Sequence, residues 1–589
     1  MIELASGVPP AVVVFLAAVI GVVAGRRIVA TVGVVACATV ASWALVVPAG
    51  SAGEWTFLEF TLVSVSVDPA SRVTGLAFAA FGAVALTYLY ATGGRRHHIT
   101  VALVYIGAAL WGVFAGDWLS LLVSWELMAI ASTLLVWFHG GDAVRIGFRY
   151  ALVHAIGGAL FAAGLALHFA IVGLTPDGVQ FADGIASGIP AAVVGLGITI
   201  NAALIGFHVW LPETYASPHV GVSVVLSAYT TKLAAYAAFR AFPDGNIVLA
   251  YIGGVMAIVG ASYALAQKDA RRLLAYHIQA QVGYMLAGIG IGSSLGVAGA
   301  FAHLFNNVLF KGLLFMVAGA IIVRTGTAYL EKGERLHVGA PILAGSFLIA
   351  AASITAVPGT NGFVSKGMVL DAALEGGHTP LRWLLLIGAV GTIVSFLKFG
   401  YLAGFRGKTN PIHDVSPLQA VGMVPVAVAC IALGLLYGSF FELLPASDQW
   451  STTPYSERHI QEKAALFVVG TVLFVAGRPL LDRLNGGTDI DTILNPIVFG
   501  VTRESVRAVS TVFGSVATMA ETARRLITPL LYEPVETVAA VLPPRLETPY
   551  RAYTTGTAGT TRIRPSVTYR LFALACCLIA GLLLGVVLR

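Results

Sequence analysis

The sequence has 589 residues, 57% of them hydrophobic and 11% charged, with a net charge of +6. A soluble domain carries about 25% charged residues, so this composition excludes a large soluble enzyme. It describes a polytopic membrane protein whose basic residues sit on loops and give no reason to invoke nucleic acid.

A transmembrane helix needs roughly 20 predominantly apolar residues, and on that basis the chain reads as all-α with about sixteen spans. Residues 1–98 hold the first three, at 9–25, 28–48 and 72–91. The first has no basic region before it and no A-x-A-like site after it, so a retained helix is expected rather than a cleaved signal. Between the second and third spans, "WTFLEFTLVSVSV" (55–67) is alternating, β-branched and too short to cross. It predicts a short extracytoplasmic hairpin on the surface.

Residues 99–241 hold spans four to eight, at 99–116, 117–138, 147–172, 188–210 and 219–241. Residues 242–405 hold spans nine to thirteen, at 247–266, 273–291, 296–323, 339–366 and 382–404. Spans fourteen and fifteen (417–437 and 463–478) lie in 406–479, and a C-terminal span (568–588) lies in 568–589. The segment 480–567 is expected on the cytoplasmic side. Helical periodicity from Asn495 onward, with Arg503, Arg507, Arg524 and Arg525 along it, suits a lateral amphipathic helix against a membrane or partner. The alternative is a cytoplasmic linker.

Charge supports the count. Arg26–Arg27, Arg95–Arg96, Arg145 with Arg149, Lys268 with Arg271–Arg272, Lys332 with Arg335, and Arg406 with Lys408 all fall on odd-to-even loops. The opposite loops carry Glu54, Glu59, Asp68, Asp177 and Asp183. By the positive-inside rule the basic loops are cytoplasmic, and both termini are expected to be extracytoplasmic in a cell membrane.

Several charges fall within the spans. "LLVSWELMAIASTLLVWF" (121–138) sets Glu126 inside the fifth, and Lys232, Lys311, Lys366 and Lys398 follow on the eighth, eleventh, twelfth and thirteenth. A charge at membrane depth costs several kcal/mol, and buried charges of both signs point to an ion pathway. For Lys366 and Lys398 the alternative is snorkelling to water from a helix end. His303, Asn307 and Lys311 follow at i, i+4 and i+8, so they share a helix face over roughly 12 Å. That face suits a proton relay or a polar seam between packed helices. "VPGTNGFVSK" (357–366) breaks the twelfth span just before its lysine, and Pro212 closes the seventh. Broken helices occur where freed backbone lines a cavity. Lys232 and Lys398 lie five spans apart, which hints at two inverted five-helix repeats. Cys37, Cys430, Cys576 and Cys577 sit in apolar runs without ligand spacing, so they read as packing, not metal ligands. No flavin, nicotinamide, iron–sulfur or haem signature occurs, and no cofactor is expected.

Together "SWELM", "WLPETYASPHVGVSVVLSAYTTKLAAYAAFR", "QKDARRLLAYHIQAQVGYML", "HLFNNVLFKGLLFMVAG" and "VPGTNGFVSK" resemble a known family over about residues 100–405. It comprises the antiporter-like, proton-conducting membrane subunits of respiratory complex I, membrane-bound hydrogenases and Mrp-type multisubunit cation/proton antiporters. The resemblance implies two inverted five-helix repeats, each with a broken helix, and a proton path along a polar midplane axis. It assigns that path to Glu126, Lys232, His303, Lys311 and Lys366. Three positions depart from the family pattern: Asn201 stands for the seventh-helix lysine, Gly206 for the proline at the break, and Asn307 for a second histidine. His208, on nearly the same face as Asn201, is either a substitute relay or a capping and packing residue. With Asn201 in place, Lys232 becomes the expected partner of Glu126 through water and Asn201, whose amide both donates and accepts hydrogen bonds.

"VGTIVSFLKFGYLAGFRG", with Lys398 inside it, resembles the D-type component of Mrp antiporters. Three functions follow. The first is an ion-translocating subunit of a sodium/proton antiporter, working with other membrane subunits, protons and sodium ions. The second is a proton-pumping subunit of a complex I-type NADH dehydrogenase or a membrane-bound hydrogenase. The third is a non-conducting scaffold.

Overall fold

The computed structural model describes residues 7–57, 60–173, 179–181, 184–330, 339–406, 413–483 and 491–532. It divides into two units, 1–489 and 490–589.

In the first unit apolar runs become helices, and Gly, Pro or capping residues end them. The order is α1 (Ala11–Val23), α2 (Arg26–Val46), β1 (Gly50–Phe57), β2 (Phe60–Val67), α3 (Pro69–Ala91), α4 (Arg96–Phe114), α5 (Trp118–Trp137) and α6 (Asp142–Val172). The seventh span is split into α7 (Ile189–Asn201) and α8 (Trp210–Ala216), and the eighth into α9 (Val220–Leu226) and α10 (Thr230–Ala241). Then come α11 (Ile247–Ala266), α12 (Ala270–Ile291) and α13 (Ser294–Thr325). The twelfth span is again split, into α14 (Pro341–Thr355) and α15 (Asn361–Glu375). The unit closes with α16 (Thr379–Tyr401), a π turn, α17 (Pro417–Leu435), the short α18 (Tyr437–Phe441) and α19 (Glu457–Arg483).

Among the described residues eleven helical segments are long and apolar enough to cross a membrane, while α1, α7 and α14 are apolar but shorter. The polar α12, with Arg271, Arg272, His277, Gln279 and Gln281, falls outside both groups. The expected span at 568–588 lies outside the described residues, so the count of sixteen is not reached here.

The expected hairpin forms, but it begins at Gly50 and pairs Gly50 with Val67 and Phe57 with Phe60. It is also less superficial than the sequence suggested: Leu62, Val63, Val65 and Val67 are buried. The Val63 N–H donates to Asp117 Oδ2 (3.0 Å), and Asp117 in turn caps α5 through the Ser120 N–H (2.7 Å). Asp68 caps α3 and pairs with Arg240 at the end of α10 (2.6 Å). These bonds fasten the hairpin across helix ends.

Helices α12 and α13 form the centre, buried along almost their whole length. Small residues let α11 lie directly on α12: a Cβ on Gly253 or Gly283 would collide with the other's carbonyl oxygen. Such close approach is how helices gain contact where lipid removes the hydrophobic drive to associate. In the second unit, one 42-residue helix, α20 (Asp491–Tyr532), covers most of the stretch expected to be amphipathic.

Candidate ion-translocation site

The helix breaks position the site. In the first, Ala203 (φ 64°) and Gly206 (φ 93°) are left-handed, and in the second Ala356 (φ 62°) and Gly359 (φ 92°) repeat the pair. The hydrogen bonds repeat as well. Leu204 N–H donates to Thr199 O (2.8 Å) and Val357 N–H to Ala352 O (2.9 Å), while Phe207 N–H and Thr360 N–H each reach back three residues. A proline cannot take a φ of 93°, which explains glycine at position 206.

Buried lysines attach to carbonyls, three of them at helix C-terminal ends. Lys366 on α15 reaches back over the second break and donates to Ile354 O (2.7 Å), with its ammonium 4.8 Å from the centre of the Tyr284 ring. Lys232 on α10 donates to Ser227 O (2.8 Å), just past the end of α9. Lys398 on α16 donates to Leu265 O (2.6 Å) and Gln267 O (2.9 Å) at the end of α11. A helix C-terminus carries partial negative charge and unsatisfied carbonyls, so it suits a cation. Lys311 on α13 instead donates to Leu274 O on α12 (2.8 Å). Lys366 and Lys398 are 1% and 4% exposed, so neither snorkels to the surface.

Lys311 and His303 both lie within electrostatic reach of Lys232 and Lys366, which gathers three of the expected lysines and the histidine into one group. His303 Nδ1 meets Ser365 Oγ on α15 at 3.1 Å. Asn307 is buried between His303 and Lys311 on the same helix, and both of its amide atoms lack a partner among the described residues. Glu126 stands apart from the group. It is half-buried on α5, with Oε1 pressed against Gly158 of α6. No direct ion pair joins it to Lys232 among the described residues; the Lys232 ammonium donates to Ser227 O. Asn201 closes α7 with its Oδ1 against Gly157, one residue from the Glu126 contact. His208 lies within the first break, where its Nδ1 accepts from Gly206 N–H (3.3 Å) and its ring packs near Tyr263 and Tyr276.

The structure adds residues that the sequence reading passed over. His277 and Gln281 on α12 are fully buried, and none of their side-chain nitrogens or oxygens has a partner among the described residues. His277 feels Lys311 and Lys366. Gln279 donates to Ala203 O at the first break (3.1 Å), and Asn306 donates to Asn361 O at the second (2.9 Å). The signal was present: His277, Gln281 and Tyr284 follow at i, i+4 and i+7 on one face. A cavity of about 750 Å³ lies elsewhere; its wall includes Phe347, Phe396, Phe467 and Phe474, and it is too apolar for an ion path.

A bundle with two matched helix breaks around a group of buried cations is the architecture of an antiporter-like membrane subunit. The family described as "NADH:quinone oxidoreductase/Mrp antiporter, TM" matches residues 115–395, the core of the chain. The D component of the Na(+)/H(+) antiporter of Bacillus subtilis is 25% identical over 66% of this chain and 83% of its own length. The N component of the NADH-quinone oxidoreductase of Desulforudis audaxviator is 28% identical over 59% of this chain and 74% of its own. Among solved structures, a chain of the Mrp complex from Dietzia sp. superposes with a TM-score of 0.68 at 21% identity, covering 81% of this chain and 99% of that one. A chain of Thermus thermophilus respiratory complex I gives 0.67 at 19% identity, covering 80% and 100%. The last two similarities concern the fold.

Proposed function

We propose that the chain is an ion-translocating subunit of a multisubunit sodium/proton antiporter in the cell membrane, and that protons cross it on Lys232, His303, Lys311 and Lys366 with Glu126 as the acidic element. One observation carries this reading: the buried lysines are held by main-chain carbonyls instead of carboxylates. A carboxylate partner strongly favours a charged ammonium. A carbonyl dipole stabilises it less and leaves it free to give up its proton. The unpartnered polar atoms of His277, Gln281 and Asn307 support the same reading. Each costs about 1–3 kcal/mol if left dry, an expense better explained by a hydrated path than by packing. The similarity to the D components of Na(+)/H(+) antiporters favours the sodium/proton assignment and assembly with other membrane subunits.

The similarity to a component of a quinone oxidoreductase favours a second reading, in which the chain pumps protons with energy from a redox arm. Purifying the native complex separates the two: small antiporter subunits identify the first, and quinone- or hydrogen-linked subunits the second. Cation-dependent proton flux in membrane vesicles tests conduction itself. Lys311→Ala should abolish flux with the complex still assembled, whereas a scaffold would lose only stability.

A further inference from the structure

Resting on the reading of Lys366 as a proton-exchanging group, we infer that Lys463 on α19 carries protons between Lys366 and the membrane face where α15 ends, with Asp371 as the outer acceptor. Lys463 is 4% exposed, and its Nζ has no hydrogen-bond partner among the described residues. Two carboxylates lie close enough to act on it, Asp371 of α15 and the adjacent Glu462. Both are already committed. Asp371 is paired with His459 Nε2 (2.8 Å), with Arg458 further off (3.9 Å), and Glu462 is paired with Arg382 of α16. A lysine kept for structure would take one of these carboxylates. Lys463 instead lines a small cavity with Phe363, Gly367, Leu370 and His459. Its volume of about 10 Å³ is room for about one water. Lys366, one helical position from Gly367, is within electrostatic reach of Lys463.

The charged groups facing Lys463 are therefore Lys366 and Asp371 from α15, Arg382 from α16, and Arg458, His459 and Glu462 from its own helix. A proton leaves the Lys366 ammonium, crosses the cavity and adds to the neutral amine of Lys463. Lys463 then passes a proton to the Asp371 carboxylate, whose side chain is 11% exposed and can release it to water. One proton moves at each step, and the lysines end neutral. His459 keeps Asp371 in place: its Nδ1 faces Thr453 O and Pro454 O while its Nε2 faces Asp371, so both ring nitrogens meet oxygen acceptors, as an imidazolium requires. By the distribution of basic loops this face is extracytoplasmic.

The test is cation-dependent proton flux in vesicles holding the whole complex. Lys463→Met keeps length and volume, so assembly should be normal while flux falls about tenfold or more. Lys463→His restores a titratable group and should recover part of the flux with a displaced pH profile. Gly367→Leu leaves every charge in place and fills the cavity; nothing lies within 4 Å of a Cβ there, so it should fold and lose flux. If Lys366→Ala abolishes flux while Lys463→Met and Gly367→Leu keep wild-type flux and pH profile, the inference is overturned and the reading of Lys366 stands. Unchanged flux in Lys366→Ala overturns both.

Discussion

At the first helix break the groups that meet the freed backbone are neutral: Gln279 donates to Ala203 O, and His208 accepts from Gly206 N–H. At the second break, with the same left-handed alanine and glycine three residues apart, a lysine does this work and donates to Ile354 O. Asn201 of the first break corresponds to Ile354 of the second, each two residues before the left-handed alanine. The backbone device is thus used twice, but among the described residues a lysine meets its freed carbonyls at the second copy and not at the first. In the first half the cation has moved to Lys232, past a separate interruption at the end of α9, and the acid Glu126 sits on the Gly157–Gly158 step beside Asn201. A break needs a donor for its carbonyls; whether that donor can also carry a proton is a separate choice.

The largest effect expected in the first half is at Glu126. Glu126→Gln keeps the shape that fits Gly158 and removes the charge, so the complex should assemble while cation-dependent flux in vesicles collapses. Gly158→Ala approaches the same point without changing charge. The added Cβ collides with Glu126 Oε1, the far end of a flexible side chain, so the protein should fold with its carboxylate displaced. Flux should fall severalfold. Wild-type flux in both variants would mean that the first half does not conduct through Glu126.

A subtler change sharpens the contrast between the breaks. Asn201→Lys places a cation at the first break, as Lys366 does at the second. It should displace the pH optimum of flux, because a new cation beside the Gly157–Gly158 step would favour ionised Glu126. An unmoved optimum would separate Asn201 from Glu126.

Smaller effects concern stability at the helix ends. His219 caps α9, its Nδ1 accepting from Gly221 N–H (3.2 Å), so its Nε2 carries the hydrogen toward Thr92 O (3.2 Å). Burial, and then the charges of His139, Arg271 and Arg26, hold this ring below its ordinary value. The cap's contribution is therefore complete above the ordinary value of about 6.5 and is lost as pH falls below it. Thermal unfolding followed against pH should show that loss, and His219→Asn, a cap that does not titrate, should flatten it. Asp68→Ala removes the cap of α3, at a cost of about 1 kcal/mol. Burial opposes ionisation of Asp68 but Arg240 outweighs it, so its carboxyl lies below the usual range. That stabilisation is present above about pH 3.9 and fades as pH falls through the lowered value.

Much of this was legible in the sequence. Apolar length located most helices, Pro358 and the flanking glycines marked the second break, and the membrane-depth charges located Glu126, Lys232, Lys311 and Lys366. Local pattern carries that information. The carbonyl partners were not legible, because Ser227, Leu274, Ile354 and Leu265 become acceptors only when the chain folds back on itself. Lys463 was passed over as the first residue of an apolar run, where lysines commonly snorkel; its burial depends on α15 and α16. His277 lies in the tenth expected span, and its ring nitrogens, unpartnered among the described residues, become visible only once α12 is buried in the fold. The carbonyl that takes the Lys232 ammonium was hidden for the same reason, since a main-chain acceptor leaves no trace in side-chain spacing.

The account turns on the claim that protons cross on the buried lysines of both halves. The most direct measurement is cation-dependent proton flux against pH for Lys232→Ala and Lys366→Ala, in vesicles matched for the amount of assembled complex. The account predicts that each variant loses flux across the whole pH range, because each removes one of the two lysines within electrostatic reach of Lys311. Flux and pH profiles indistinguishable from wild type in both would contradict it.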